Sequence, residues 1–599
     1  MDFLISASPP RPRQAVHIGA IGHRLNRIAP GRVPELRTES SRVLQDVLQL
    51  SRTISDPLVY SAKPPMLRVI SPLAEGADRI VAQAGLDLGA ELQCPLPFHV
   101  SEYVLDFGDE RSRQDFYALL ANATAVFELD GSRENEGIAY ELAGRLVIAQ
   151  SDLILAIWDG QAANGPGGTA QMIEEAVAQG VPVVWLHATE SLGPCVIELD
   201  EFGKRQMGSL QALQQLFQRT PAKGGEEVAA AQEGEQPSFY MNHAYCKEKH
   251  PWLDGSQVYK AFRDFVVKGS IPSKILTVRN FEEAAREEWD HAMPADLPMR
   301  EFLLERLCPY YAWADGLSNY YSGLLRSSSI ASNLLSAVAV FCALWGTFLK
   351  EGRLERLPTV CELGLICGVI GITFYGRGQR WHERWLNYRQ LGERIRQYFF
   401  LAPLGSAAPA PRALPHFGQD PTRSWVDGTF HAIVRDVGLA PATVSHEYLA
   451  SIGALLNEVL ADQVKYHDNN HSVMERLTER LHLAGTALFG VTLMACMAHL
   501  LVPPHEHPWL LLLATVPPAF GAAFYGISNH GEFARSADRS AAMREVLNLL
   551  RTRDLARALR SGTGLHEELR VVASRVADTM IAETLDWNAV FRYRPLNLP

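Results

Sequence analysis

The residues with the clearest chemical potential are Gly165-Pro-Gly-Gly-Thr169-Ala-Gln-Met-Ile-Glu-Glu-Ala176. An apolar run, Leu153–Trp158, precedes them and closes on Asp159-Gly160. A helical pattern follows as far as Gly180, and a second apolar run covers 181–186. Strand, glycine turn, helix and strand make a crossover unit of a parallel sheet. Glycines at the turn let a ligand approach the backbone. The helix start then offers free N–H groups and partial positive charge, which suits a phosphate. The same residues also suit a plain loop, so the choice rests on the chain upstream.

Two further turns share this chemistry. Ala15–Gly22 reads AVHIGAIG, a buried strand running into glycine, with His23 and Arg24 directly after it. Arg24 can hold two phosphate oxygens at once, and His23 can bond a ligand or serve the fold. Met66–Ile70 is a second strand, ending in Ser71-Pro-Leu-Ala-Glu75-Gly76-Ala-Asp78-Arg79 where a helix begins. Strands at 90–95 and 123–129 and helices at 34–50, 78–88, 116–121 and 137–150 continue the alternation. That alternation predicts a parallel sheet covered on both faces. Ligands bind such sheets beyond the carboxyl ends of the strands. Gly22, Glu75-Gly76 and Gly167-Gly168 all fall on that edge.

The series GAIGHR, SPLAEGADRIVAQAGLDLGAELQCPLPF and SDLILAIWDG…GPGGTAQMIEEAVAQGVPVVWL resembles a SLOG domain, over about residues 15–190. This Rossmann-like family is related to DprA and to the LOG cytokinin-activating enzymes. It also occurs in Thoeris antiphage effectors and in TRPM-type channels. The resemblance implies a pocket for a nucleotide or nucleotide-derived messenger. The matching positions are Gly22, His23, Arg24, Ser71, Glu75, Gly76, Asp78, Gly167, Gly168 and Thr169, and Asp159 at the strand end joins them. LOG enzymes carry PGGxGTxxE, whose glutamate helps cleave a ribose–base bond. Here Pro166-Gly-Gly168 runs straight into Thr169, and Met172 stands three residues later. Glu174 and Glu175 are displaced around the helix. Binding is therefore expected rather than catalysis, with Glu174 and Glu175 as surface residues.

The chain has 599 residues, too many for one core. A net charge of −11 argues against a general nucleic-acid binder. The eight cysteines form no CxxC pair and no zinc spacing, so neither a metal site nor a disulfide framework is expected. Residues 1–14 hold Arg11 and Arg13 but no apolar stretch of signal-peptide type. The expected division is a nucleotide-binding domain at 1–200, an extension at 201–304 with a disordered insertion near 218–238, a two-span module at 305–402, a linker at 403–424, and a second two-span module at 425–599. The extension is expected to pack on the first domain.

Four apolar runs, 330–349, 357–376, 481–502 and 509–527, are each about 19–22 residues, long enough to cross a bilayer as helices. This predicts an all-α membrane region of four spans in two hairpins, flanked by long amphipathic cytosolic helices at 312–329, 381–396, 447–480 and 532–559. Arginines follow each pair, and the 503–508 loop holds no Lys or Arg. Positive charge on the inner side places both chain ends in the cytoplasm, with the protein multi-pass in the inner membrane. The 350–356 loop, with three basic residues, is an irregularity. Gly364 and Gly368 form a GxxxG suited to close helix packing. Glu362, inside the second span, either faces a partner helix or cavity or reaches water near the span's end. Pro517 and Pro518 predict a kink in the fourth span. The arginines after the first pair, at 377, 380, 384, 389, 394 and 396, read as a solvated or headgroup face, with a direct gating role as the alternative.

The first span pair followed by RWLNYRQLGERIR resembles the SLATT family, two-span effectors associated with SLOG domains in bacterial conflict systems. The likeness covers 305–402 and, more loosely, 445–560. It implies an antiviral membrane effector that acts in abortive infection. A nucleotide-derived messenger, cyclic or NAD-derived, would bind the first domain. The spans would then open as a pore in a homo-oligomer. Its partners would be that messenger, the bilayer and, functionally, the enzyme that makes the messenger. The alternative is a membrane-tethered nucleotide hydrolase using Glu75, Asp78 or Glu174.

Overall fold

The computed structural model describes residues 8–162, 165–199, 205–208, 238–270, 278–346, 356–406, 425–501, 509–560 and 564–591. The expected insertion lies outside the described residues, apart from its last residue. So do the two interspan loops, apart from Arg356, and the linker beyond residue 406.

The buried strands run where glycine turns punctuate apolar runs: β1 Ala15–Gly22, β2 Met66–Ile70, β3 Glu91–Leu96, β4 Ala123–Glu128, β5 Leu153–Trp158 and β6 Val183–His187. All six pair in parallel. Helix α1 (Val33–Ile54), α2 (Ala77–Asp87), the short α3 (Val100–Tyr103), α4 (Glu110–Leu120), α5 (Glu136–Ala149) and α6 (Thr169–Ala178) connect them. Helices α1, α2 and α4 pack on one face through Leu36, Val43, Val81 and Phe116. On the other, α5 and α6 bury Val147, Ile148, Met172 and Ile173. The sheet ends with two antiparallel strands that the sequence reading does not include, β7 (Cys195–Leu199) and β8 (Arg205–Gly208). The full order is β8-β7-β6-β5-β1-β2-β3-β4-β9. From β1 the chain builds outward to β4, then returns to place β5 on the other side of β1, so the switch point lies between β1 and β5.

The ninth strand belongs to a distant stretch of the chain. After α7 (Ser238–Cys246), α8 (Gln257–Lys268), α9 (Phe281–Ala292), α10 (Arg300–Arg306), α11 (Cys308–Trp345), α12 (Leu357–Gly378) and α13 (Trp381–Leu401) comes α14 (Trp425–Val437). Strand β9, Ala442–Thr443, follows and pairs in parallel with Phe127 and Glu128 of β4. Helix α14 lies under the strand starts. Its Arg435 bonds Asp152 through Nε at 2.8 Å and the Gln150 and Ser151 carbonyls through its two amino nitrogens. The Arg68 Nη1 donates to the Arg435 carbonyl at 2.6 Å, and the Leu439 N–H reaches Gln93 Oε1 at 2.9 Å. The sequence reading assigns 425–443 to the second span module. In the structure these residues complete the sheet, because charged and polar groups at the strand starts find their partners there.

The remaining helices are α15 (His446–Leu501), α16 (Trp509–Gly531), α17 (Phe533–Leu549), continued by a π-helical turn at Leu550–Leu555, and α18 (Leu565–Phe591). Four helical stretches are long and apolar enough to cross a membrane: α11, α12, α15 and the stretch that opens with α16. Their outer faces leave large apolar side chains exposed, among them Leu363, Phe374, Leu493 and Leu500. Helix α16 continues through Pro517 and Pro518. The first span packs on the fourth, where Gly526 abuts the Asn333 side chain, and the third packs on the fourth, where Gly521 lies against Phe489.

Two expectations change here. The sequence reading packs the extension on the first domain; Tyr245 and Cys246 of α7 share a core with Phe127 and Leu129, but α8 instead buries Tyr259 with Ile330, Met474 and Leu477 at the base of the spans. Its amphipathic face finds the larger apolar surface there. From α7, His243 reaches back towards α1, 2.7 Å from Asp56. The arginines of α13 do not form a solvated face. Arg384 bonds Glu248 at 2.8 Å, Arg394 pairs with Asp427, and Arg396 bonds the Tyr311 hydroxyl at 2.6 Å. Helix α13 is a central packing element whose cations meet acids from α14 and the extension.

Candidate functional site

The carboxyl ends of β1 and β5 place His23 and Asp159 across the switch point. The pairing of Gly22 with Ile157 sets their register, and the His23 N–H donates to the Ile157 carbonyl at 2.9 Å. His23 Nε2 then lies 2.7 Å from Asp159 Oδ1. Arg27 bonds the other carboxylate oxygen at 2.6 Å. Thr169, first residue of α6, brings its hydroxyl 3.2 Å from His23 Nδ1. The first and third turns therefore meet in a row of hydroxyl, imidazole and carboxylate. Burial lowers the pKa of His23, opposed by Asp159. Burial would raise Asp159, but His23, the Gln161 N–H and Arg27 hold it below the usual carboxylate value.

The glycines are needed where backbones touch. Gly22 packs against Ala77 and the Ile157 backbone. Gly76, at φ 98°, lies against the His23 and Arg24 backbone, and the Ala77 N–H donates to the His23 carbonyl at 3.0 Å. Gly167, at φ 75°, leaves 2.9 Å between an added Cβ and the Glu141 nitrogen. Gly168 is the N-cap of α6.

The second turn serves the first differently from the sequence expectation. Ser71 is fully buried and its hydroxyl bonds the Asp78 carbonyl at 3.0 Å, so it shapes the turn. Glu75 accepts from the Ser112 hydroxyl. Asp78 is buried, accepts from the Ala74 N–H at 3.2 Å, and its pKa is pushed up to about 7 by burial, against the pull of Arg24 and Arg79. Arg24 is half-exposed at the edge. Its ion pair with Asp106 is a long one, 3.3 Å, and its guanidinium stands over Tyr140.

Asp106, Tyr140, Arg27 and Arg133 have no place in the sequence reading. Asp106 collects Arg133 Nη1 at 2.6 Å, the Tyr140 hydroxyl and Arg24. No motif marks these residues; they meet only because three loops share one sheet edge. Glu174 is exposed and Glu175 bonds Arg145 at 3.0 Å, away from the row. In the spans, Glu362 is partly exposed, and a Cβ added at Gly364 or Gly368 meets nothing within 4 Å. The GxxxG face is thus unused within one chain. Among the described residues no group of three or more His, Cys, Asp or Glu is placed to hold a metal ion. Comparisons with protein-family models and with curated proteins find no match.

Proposed function

We propose that this protein is a membrane effector of bacterial antiphage defence. A nucleotide-derived messenger binds at the switch point of its cytosolic sheet and causes the four spans, arranged as two hairpins in a homo-oligomer, to permeabilise the inner membrane. The observation that carries the reading is the meeting of His23, Asp159, Arg27 and Thr169 between β1 and β5. This is where open parallel sheets take ligands, and the N–H groups of α6 open there towards an anion. Arg24 is half-exposed, and a phosphate could replace the Asp106 carboxylate that it now bonds at 3.3 Å. Four spans are few for a pore, and the unused Gly364 and Gly368 face suits contact between copies. The messenger must favour the open state, since equal affinity for both states would gate nothing.

Dye leakage from liposomes carrying the purified protein, tested against cyclic oligonucleotides and NAD-derived nucleotides, checks this reading. Leakage with one compound, abolished by Arg24→Ala and by Gly168→Asp, is the expected result. Asp suits an N-cap backbone, so Gly168→Asp adds charge against a phosphate without breaking the helix. Leakage unchanged in both variants would remove the site assignment.

A second reading, a nucleotide-hydrolysing enzyme, is favoured by two observations. The Thr169–His23–Asp159 row is the order that activates a hydroxyl, and Asp78, with its pKa pushed up to about 7, suits proton transfer. Release of base or phosphate by the detergent-solubilised protein, lost in His23→Ala, would select it.

A further inference from the structure

We infer that Glu128 is the residue that joins the ligand edge of the sheet to the third membrane-spanning helix. The inference rests on the reading of that edge as the ligand site. Glu128 ends β4, and its acceptor groups hold two different elements. Its Oε2 accepts the Val100 N–H at 2.8 Å, which fixes the start of α3. Its Oε1 accepts the Thr443 hydroxyl at 2.9 Å, and its carbonyl accepts the Val444 N–H at 2.8 Å. Ser445 comes next, and its hydroxyl accepts the Tyr448 N–H at 3.1 Å as the cap of α15.

From Val100 the chain runs through α3 and one tight turn to Asp106, the carboxylate that holds Arg24, Arg133 and Tyr140. Arg133 also donates to the Glu102 carbonyl, so the 100–106 segment is tied to the site at two points. An anion that draws Arg24 away from Asp106 changes the charge balance on this segment. Its far end is the Val100 N–H on Glu128, and the next residues along that bond network are at the foot of α15. The Arg435 contacts lie at the opposite, amino edge of the sheet and touch none of the three ligand turns. Glu128 thus supplies a hydrogen-bonded route from the site to a span and acts as a positioning residue.

Hydrogen–deuterium exchange on the full-length protein in nanodiscs tests this without a ligand. Asp106→Asn is expected to speed exchange of amides 443–450 by about three- to tenfold, the equivalent of one weakened hydrogen bond. In a Glu128→Ala background that distant effect disappears, while Glu128→Gln, whose amide oxygen can accept the Val100 N–H and whose amide N–H can donate to the Thr443 hydroxyl, restores it. Unchanged exchange at 443–450 in Asp106→Asn, or an equal change with Glu128→Ala present, overturns the inference. Glu128→Gln keeps the test decisive if Glu128→Ala unfolds. In a separate arm, 5′-AMP is added to the wild-type protein. Failure to protect amides 22–27 and 168–171 counts against the ligand reading alone, because the first arm uses no nucleotide.

Discussion

With its pKa pushed up to about 7, the Asp78 carboxyl is half protonated near neutral pH. Between about pH 4 and pH 7 the folded state keeps a proton that the unfolded chain releases, so stability falls as pH rises across that window. Asp78→Asn keeps an acceptor for the Ala74 N–H and removes the ionisation. Its melting temperature is expected to exceed the wild type's at pH 8 and to converge with it at pH 4, a comparison that thermal scans in detergent settle. Gly167 gives a second test. Its left-handed backbone and the nearby Glu141 nitrogen mean that Gly167→Ala costs about 1–3 kcal/mol. That loss appears as a lowered denaturation midpoint. His23 and Thr169 can be named from sequence because each follows a glycine turn directly. Their mutual contact cannot, since 146 residues separate them. Asp106 is invisible for the same reason, being defined by three partners from other segments of the chain.

Among the elements, β1, β2 and β5 are found at the residues the sequence indicates, because apolar runs bounded by glycine turns have few other solutions. Strand β9 has two residues, too few for any periodicity, and is legible only as loop. Helix α13 misleads for a different reason. Its arginines read as solvated because an isolated helix shows charge but not what neutralises it, and the acids Glu248 and Asp427 come from distant segments. Such buried pairs are costly to halve. Asp427→Ala leaves Arg394 buried and unpaired, an expected loss of about 3–5 kcal/mol. Replacing both partners with apolar residues should recover much of it, as a double-mutant thermal series will read. The ends of α12 and α16 show a shared device: Arg380 and Glu532 each adopt a left-handed backbone, and Trp381 and Phe533 then pack against Gly376 and Gly531. The two span pairs thus end alike, each in a left-handed residue that opens the next helix.

The molecule as a whole is not a string of modules. The sheet is interrupted after β8 by the first two spans and completed only at 425–443. A fragment of residues 8–210 would leave Asp152, Arg68 and Gln93 without their partners from α14 and the turn after it. It is expected to be insoluble or to melt well below the same fragment carrying residues 425–445 through a flexible linker, which expression and thermal unfolding will compare. Covering β4 with β9 also closes a strand edge that would otherwise be open to pairing with other chains. Helix α15 has 56 residues, so it is about 84 Å long at the usual rise per residue. Its foot is at the sheet and its far end belongs to the third span. A rod of that length turns a small angle at one end into a large displacement at the other. Tilting it by about 5° at the foot moves the tip sideways by about 7 Å, more than the pitch of one helical turn. On the function proposed above, a tilt of that size is how a change at the sheet edge would reach the neighbouring spans.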